Sequence, residues 1–398
     1  MAKEIKLIHT ADWHLSERDA QQKKARRSLD QLLEYVTNNK VHGLLIAGDI
    51  WDRIQPFGNN SAIKIAYDYL SEFSKVLDFI FIIKGNSSHD AHQSIDLLNG
   101  FKENIFAYET SKVLSVSLDK LKVTDLNENL SPDNIDLIIH AISYPTKAQL
   151  LEGSSIDIQN DNFIYLFEEL MDFHGSISER FPRVPNVTLF HGNINGAKLS
   201  SGQSLIGQDI LIPSFILEKT KSHYYALGHI HLPQNITPKM RYSGSLYNKD
   251  FGEIEQKYFD LIEFDGTNVN ATNIPFIKAR PMIIVDAEYR DGKFIYDNSI
   301  AQNAEIKFRY KVSEASKDLI TMDDLKNIKM ELGEDVKFEA DIIAQERSSR
   351  SSKIMSARSL LEELEEYAAL LEEELTTSLK EKVNQIELKT LKEYDLCA

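Results

Sequence analysis

The chain of 398 residues is short of cysteine, of positive charge and of long apolar runs, and each shortage removes a class of protein. A single cysteine, Cys397, excludes an internal disulfide and fits a reducing compartment. Lysine and arginine number 45 against 61 aspartates and glutamates, for a net charge of −16. That balance argues against a protein that grips nucleic acid through an overall basic surface. It leaves room for a local basic groove or a basic partner. No apolar run is long enough to span a bilayer. The stretch "MAKEIKLIHTAD" enters a strand-like segment at once, without the marks of a signal or transit peptide. The expectation is a cytoplasmic protein with no membrane association. No proline follows Pro281, and residues 359–394 contain no glycine either. No internal repeat is visible.

What is present is an alternation of short apolar runs with amphipathic stretches. "EIKLIH", "GLLIAGD" and "FIFIIKGN" read as strands, while "SLDQLLEYVTNN" and "SAIKIAYDYLSEFSKV" carry apolar residues at helical spacing. This β-α-β-α-β order predicts a parallel, buried sheet covered by helices. A less regular middle is followed by "NVTLFHGN", "SHYYALGHIH" and "MRYSGSLYN", again strand-like runs that close on polar residues. "YFDLIEFDGTNVNATNI" has an Asp-Gly turn between alternating segments and reads as a hairpin.

The length predicts two or three domains. Residues 1–276 form the first. Residues 277–342 read as a small α+β unit, and 343–358, polar, basic and serine-rich, as a linker. Residues 359–398 read as a helical segment. Leu360, Leu364, Tyr367, Leu371, Leu375, Leu379 and Val383 recur there every three or four residues, giving one apolar stripe on an acidic helix.

Five strand ends carry metal-type side chains: Asp12 with His14, Asp49, Asn86, His191, and His229 with His231. In an open α/β sheet the carboxyl ends of the strands form the ligand crevice. Residues two apart can both turn toward one point as the chain leaves a strand. Carboxylate, imidazole and amide oxygen together suit manganese, iron or zinc. Seven ligands around a shared carboxylate suit two ions about 3.5–4 Å apart, the arrangement used in phosphoester hydrolysis. Each piece alone has a plainer reading. An Asp after a strand is usually a turn former or helix cap, and single histidines such as His9, His42 and His140 are assigned no chemistry. The joint occurrence, each at the end of an apolar run, favours the metal reading.

In order, Asp-x-His, Gly-Asp-x-x-Asp, Gly-Asn…His-Asp, His and Gly-His-x-His resemble the calcineurin-like metallophosphoesterase superfamily. Within it the chain looks like the SbcCD-type double-strand-break repair nucleases. That resemblance rests on "HTADWHLS", "IAGDIWDRIQP", "SHD", "HGNINGAKLSSGQSLIGQDILIP", "GHIHLPQ" and "YSGSLYNKDFGEIEQKYFDLIEF", over roughly residues 4–265. It implies an α/β fold: a metallophosphoesterase β-sandwich flanked by helices, a small α+β capping domain and a C-terminal helical segment. It implies one ion held by Asp12, His14 and His231, another held by Asn86, His191 and His229, and Asp49 bridging both, with manganese preferred. His89, hydrogen-bonded to Asp90, would act beside the scissile phosphate without binding metal.

The resemblance further implies 3′-to-5′ exonuclease action on duplex DNA and endonuclease action on single strands. It implies an SMC-like, SbcC-type ATPase docked on the C-terminal helix, and a homodimer within a heterotetramer. Three positions depart from the usual pattern. Ser87 and Ser88 separate Asn86 from His89, so either Asn86 or a neighbouring serine lies nearest the metal. Asp52 stands where some members carry a second histidine, and Ser16 where glycine is usual. A phosphatase or small-molecule phosphodiesterase on the same metal core, and a non-catalytic DNA-end scaffold, are the alternatives.

Overall fold

The computed structural model describes residues 3–54, 60–126, 135–145, 160–200, 203, 210–297, 304–314, 316–333, 335–343, 359–370 and 373–395. The chain divides into two compact units, residues 1–284 with 300–307, and residues 285–299 with 308–398. The first unit opens with β1 (Glu4–Thr10), α1 (Asp19–Asn38), β2 (Gly43–Ile46), α2 (Ser61–Ser74), β3 (Phe79–Ile83) and β4 (Ile105–Tyr108). It continues through β5 (Lys112–Ser117), β6 (Lys122–Asp125), β7 (Leu137–Ile142), α3 (Asn160–Arg180) and β8 (Asn186–His191). The short β9 (Asn193–Ile194), β10 (Leu211–Ile212) and α4 (Ser214–Glu218) lead to β11 (Tyr224–Gly228), β12 (Gln234–Thr237) and β13 (Met240–Tyr242). The hairpin β14 (Tyr258–Asp265) and β15 (Asn268–Pro275) follows.

Apart from the short parallel pair β9–β10, these strands make two mixed sheets. The first runs in the order β15–β14–β1–β2–β3–β4, with β1 to β4 parallel and the hairpin antiparallel along β1. The second runs β12–β13–β11–β8–β7–β5–β6, with a parallel centre of β13, β11, β8 and β7. Alternation along each strand sends side chains to two different cores. In β3, Phe79, Phe81 and Ile83 pack against Leu114, Leu137 and Leu189 of the second sheet. Ile80 and Ile82 point the other way, to Leu29 and Leu32 of α1 and Ile65 and Phe73 of α2. Both faces are therefore dry, which explains why β3 reads as a continuous apolar run rather than an alternating one. On the outer side of the second sheet, Phe163, Phe167 and Met171 of α3 cover Ile142, Phe190 and Leu227.

The result is a helix–sheet–sheet–helix sandwich, an α/β architecture of the kind the resemblance implied. The sequence alternation assigned helices to cover the first sheet. They cover one face of it, and the second sheet covers the other. Helix α3, inside the middle segment that looked irregular, was not anticipated.

The strands and helices after residue 281 are β16 (Met282–Arg290), β17 (Lys293–Tyr296), β18 (Glu305–Ser313), α5 (Met322–Leu332) and β19 (Lys337–Ile343). Their sheet has the order β17–β16–β18–β19, around an aromatic cluster of Phe294, Phe308, Tyr310 and Phe338. Helix α5 starts on a reciprocal capping box between Thr321 and Asp324. The basic stretch 344–358 lies outside the described residues. The C-terminal segment is two helices rather than one: α6 (Leu360–Leu370) and α7 (Thr377–Asp395), joined by an ion pair between Glu365 and Lys380 at 2.7 Å. The Thr376–Thr377 pair is the local reason. Two β-branched residues are weak in a helix interior, and the Thr376 carbonyl instead accepts the first amides of α7, from Leu379 and Lys380.

Candidate metal centre

Five of the parallel strands, β1, β2, β3, β8 and β11, bring metal-type side chains at their carboxyl ends to one edge of the sandwich. Asp12 follows β1, Asp49 follows β2, Asn86 follows β3, His191 closes β8, and His229 and His231 follow β11. The exits from β1 and β2 run side by side, zipped by Asp12 N–H to the Gly48 carbonyl (3.0 Å) and His14 N–H to the Asp49 carbonyl (3.1 Å). To turn inward, the backbone adopts positive φ at Asp12 (50°), His14 (44°), Asp49 (52°) and His229 (103°). These are four of the eight non-glycine residues with positive φ among those described. Such conformations cost energy for side chains with a Cβ and persist where the surroundings force them. Two glycines admit the approach. A Cβ on Gly228 would meet the Ala47 carbonyl oxygen at 1.8 Å, and one on Gly85 would meet Asp49 Oδ1 at 2.1 Å.

Atoms of Asp12, His14 and His231 lie within 4.8 Å of one another, as do those of Asp12, Asp49 and His191, and those of His14, Asp49 and His89. Asp12 accepts the backbone N–H of His229 with both oxygens at 3.1 Å, joining the two sheets. His191 donates Nδ1–H to the Ala47 carbonyl (2.6 Å), which leaves Nε2 as a bare acceptor 3.5 Å from Asp49 Oδ1. His231 gives its Nδ1–H to Glu253 (2.7 Å), and its Nε2 faces His14 Nε2 at 2.9 Å. Asn86 places its N–H on Asp49 Oδ1 (2.7 Å) and its amide nitrogen 3.3 Å from His229 Nδ1. Ser87 and Ser88 are both exposed.

Five buried side-chain polar atoms among the described residues have no hydrogen-bond partner, and three belong here: His14 Nδ1, Asn86 Oδ1 and His191 Nε2. Buried acceptors without donors are costly unless a cation meets them. The carboxylates make the same point. Burial pushes Asp12 up to about 8, against the hydrogen bond from His229. Burial, then the charges of Asp90 and Asp12, raise Asp49 well above the usual range. Burial holds His14 and His191 well below the ordinary imidazole value, so neither supplies positive charge. Buried carboxylates, neutral imidazoles and an amide oxygen form a donor set short of cations, and it fits divalent metal ions.

His89 and Asp90 behave differently from the expectation that they pair. His89 donates Nδ1–H to the Asp52 carbonyl at 2.6 Å, which leaves Nε2 3.9 Å from Asp49 Oδ2. Asp90 is fully buried and turns away, accepting N–H groups from Gly85 (2.7 Å), Asp49 (3.0 Å) and Trp51 (3.3 Å). The reason is geometric. The tight turn from Asn86 bonds its carbonyl to the amides of His89 and Asp90, which sends the two side chains to opposite sides of the loop. Asp90 thus pins the β2 and β3 exits to each other.

Sequence reasoning missed the supporting shell. Glu253 orients His231 and is held by the buried Lys257 (2.8 Å); burial opposes its charge, but these partners bring it down to about 2. Gln203 clamps the His-x-His backbone, donating to the His229 carbonyl (2.6 Å) and accepting from His231 N–H (2.9 Å). Tyr247 donates to the His14 carbonyl at 2.7 Å. The only signal was a run of charges, Lys249, Glu253 and Lys257, at four-residue intervals. The histidines assigned no chemistry lie elsewhere: His42 accepts from Lys6 N–H, and His140 packs with His174 and Ser178.

Fold and site together resemble those of the metallophosphoesterases, phosphoester hydrolases built around paired divalent ions. No family model matches the chain. It is 24% identical over 347 residues to the SbcD component of the nuclease SbcCD of Staphylococcus epidermidis, covering 81% of this chain and 83% of that one. The chain therefore resembles the calcineurin-like metallophosphoesterases and, among them, the SbcD-type proteins. A solved structure described as GAP50, the anchor in the inner membrane complex of Plasmodium, matches 70% of this chain and 86% of its own, with TM-score 0.41 and 13% identity. So loose a superposition carries no weight. No helix among the described residues is long and apolar enough to cross a membrane.

Proposed function

We propose that the protein is a two-metal DNA phosphodiesterase, a double-strand 3′-to-5′ exonuclease and single-strand endonuclease that works with an SMC-like, SbcC-type ATPase in DNA end processing. The observation that carries the phosphodiesterase reading is the clustering of the strand-end donors Asp12, His14, Asp49, His191 and His231, together with unpartnered buried atoms at His14, Asn86 and His191. The restriction to DNA rests on the similarity to the SbcD component of SbcCD. In this reading Asp12, His14 and His231 would hold one ion, Asn86, His191 and His229 the other, and Asp49 would serve both. Manganese is the expected metal. When bound, the ions would polarise the phosphate and activate the attacking water.

The chain's own residues do the rest. Glu253 and the Ala47 carbonyl fix the tautomers of His231 and His191, so that Nε2 of each is the ligand atom. His89 is held at about 4 by burial and then by the charge of Lys249, so it meets substrate as a neutral ring with its Nδ1–H committed to Asp52. An arriving phosphate opposes that burial penalty and favours a proton at Nε2, to be given to the departing 3′ oxygen. The acidic charge of the chain fits a nuclease whose partner supplies part of the DNA grip. Leu360, Tyr367 and Leu379, exposed on α6 and α7, are the residues expected to meet that ATPase.

The test is cleavage of duplex and single-stranded DNA by the purified chain with manganese or chelator, alone and with the ATPase plus ATP, beside a chromogenic phosphomonoester. Manganese-dependent DNA cleavage supports the proposal. Turnover of the monoester alone would make the protein a phosphatase.

A further inference from the structure

Lys249 has no place in the ligand set, yet the site is built around it. Its Nζ pairs with Asp52 Oδ1 at 3.0 Å, with the two side chains 19% and 13% exposed. Its backbone N–H donates to Glu253 Oε2 at 3.2 Å, the carboxylate that also orients His231. Asp52 in turn gives its main-chain carbonyl to His89. Lys249 is therefore fixed from two sides, by the groups that set the imidazoles of His231 and His89. An ammonium has three donors, and one carboxylate leaves donors for a second anion. One residue, Asp52, thus holds both groups: its side chain takes the ammonium of Lys249 and its main-chain carbonyl takes the Nδ1–H of His89.

We propose that Lys249, held in position by the Asp52 carboxylate, is a phosphate-binding residue that donates to a non-bridging oxygen of the scissile phosphate. This rests on the phosphodiesterase reading above. A half-buried cation next to His89 neutralises charge that collects on the phosphate and that the imidazole alone leaves unmatched. Asp52 is then a positioning residue: its side chain aims Lys249 while its carbonyl aims His89.

The experiment is calorimetric titration of the manganese-loaded full chain with orthophosphate, with metal content measured on each sample, alongside kcat/KM on single-stranded DNA. For Lys249→Ala, orthophosphate affinity and kcat/KM should both fall about 10- to 100-fold, the loss of one charge-assisted hydrogen bond, with manganese content unchanged. Lys249→Arg should recover most of the phosphate affinity, and Asp52→Asn should show an intermediate loss. The inference is overturned if Lys249→Ala binds orthophosphate as the wild type does, if its loss of affinity tracks lost manganese, or if the wild type binds no orthophosphate. Failure of the wild type to cleave DNA would sink the nuclease reading separately, because the orthophosphate titration needs no turnover.

Discussion

Without metal, the site should make the fold sensitive to alkali, and the sign follows from the buried carboxylates. Asp12 is raised from 3.8 to about 8 and Asp90 from 3.8 to about 7, each chiefly by burial. A carboxyl whose folded value lies above its unfolded value favours the folded state while it keeps its proton. That contribution is full below about 4 and is lost as the pH rises through the folded value. One unit corresponds to about 1.4 kcal/mol, so Asp12 alone represents on the order of 5 kcal/mol by pH 8. For a unit of this size each kcal/mol moves the melting temperature by roughly 2–4 °C. Chelated protein is therefore expected to melt on the order of 10 °C lower at pH 8 than at pH 5. Manganese, which takes up the negative charge, should remove most of the difference. Asp12→Asn, which deletes one titrating group but keeps the shape, should make the profile of the chelated protein shallower, with Asp49 and Asp90 still titrating, and should weaken the response to manganese. Melting curves of both proteins from pH 5 to 8, with chelator and with metal, check this. A chelated wild type with a flat profile, or an Asp12→Asn variant as steep as the wild type, would refute the reasoning.

Further outcomes are expected from single substitutions. Asp49→Ala should abolish cleavage and most bound metal; elemental analysis showing two ions per chain would rule out a bridging role. His89→Ala should keep the metals and lose cleavage on the order of 10²–10⁴-fold, whereas Asn86→Ala should weaken one ion selectively and Ser88→Ala should change neither metal content nor rate. Glu253→Gln, which weakens the hold on His231, should reduce metal affinity by about 10- to 100-fold, read by competition with a metal-binding dye. Glutamate at Leu360, Tyr367 and Leu379 should prevent copurification with the ATPase while sparing manganese-dependent cleavage of single strands; a large fall in melting temperature with partner binding intact would show instead that these side chains serve the fold.

The order of strands and the polar residues that end them were readable because burial on both faces writes β1, β2 and β3 as short apolar runs with abrupt ends. The second sheet as a partner for the first was not readable from periodicity. A strand buried by helices and one buried by another sheet look alike, and the family resemblance supplied the sandwich. Helix α3 was hidden because its apolar positions include Phe163, Phe167 and Met171 among charged residues, with Gly175 where the backbone approaches the Lys219 carbonyl. The break between α6 and α7 was hidden because leucine spacing continues across it. In the site, the strand-end donors were visible as residue types at motif spacing. Glu253, Gln203 and Lys249 were not, since their roles depend on tertiary hydrogen bonds that no local spacing encodes.

The same features that make the site costly explain how it is held ready. Positive φ at Asp12, His14, Asp49 and His229 stores strain on the order of 1–3 kcal/mol per residue. Buried acceptors at His14, Asn86 and His191 add to it. These costs are met by hydrogen bonds that tie the loops together. Asp90 draws three backbone amides of two loops onto one carboxylate, and Asp12 ties the β11 exit to the first sheet. Glu253 and Lys257 brace the His-x-His turn from below. The donors are thus fixed before any ion arrives, so little reorganisation is needed on binding. An ion that satisfies the unpartnered atoms returns free energy to the whole sandwich, because the loops it joins come from both sheets. Stability and metal occupancy should therefore rise and fall together in this protein. A variant in the bracing residues, distant from any phosphate, should be recognisable by losing both at once.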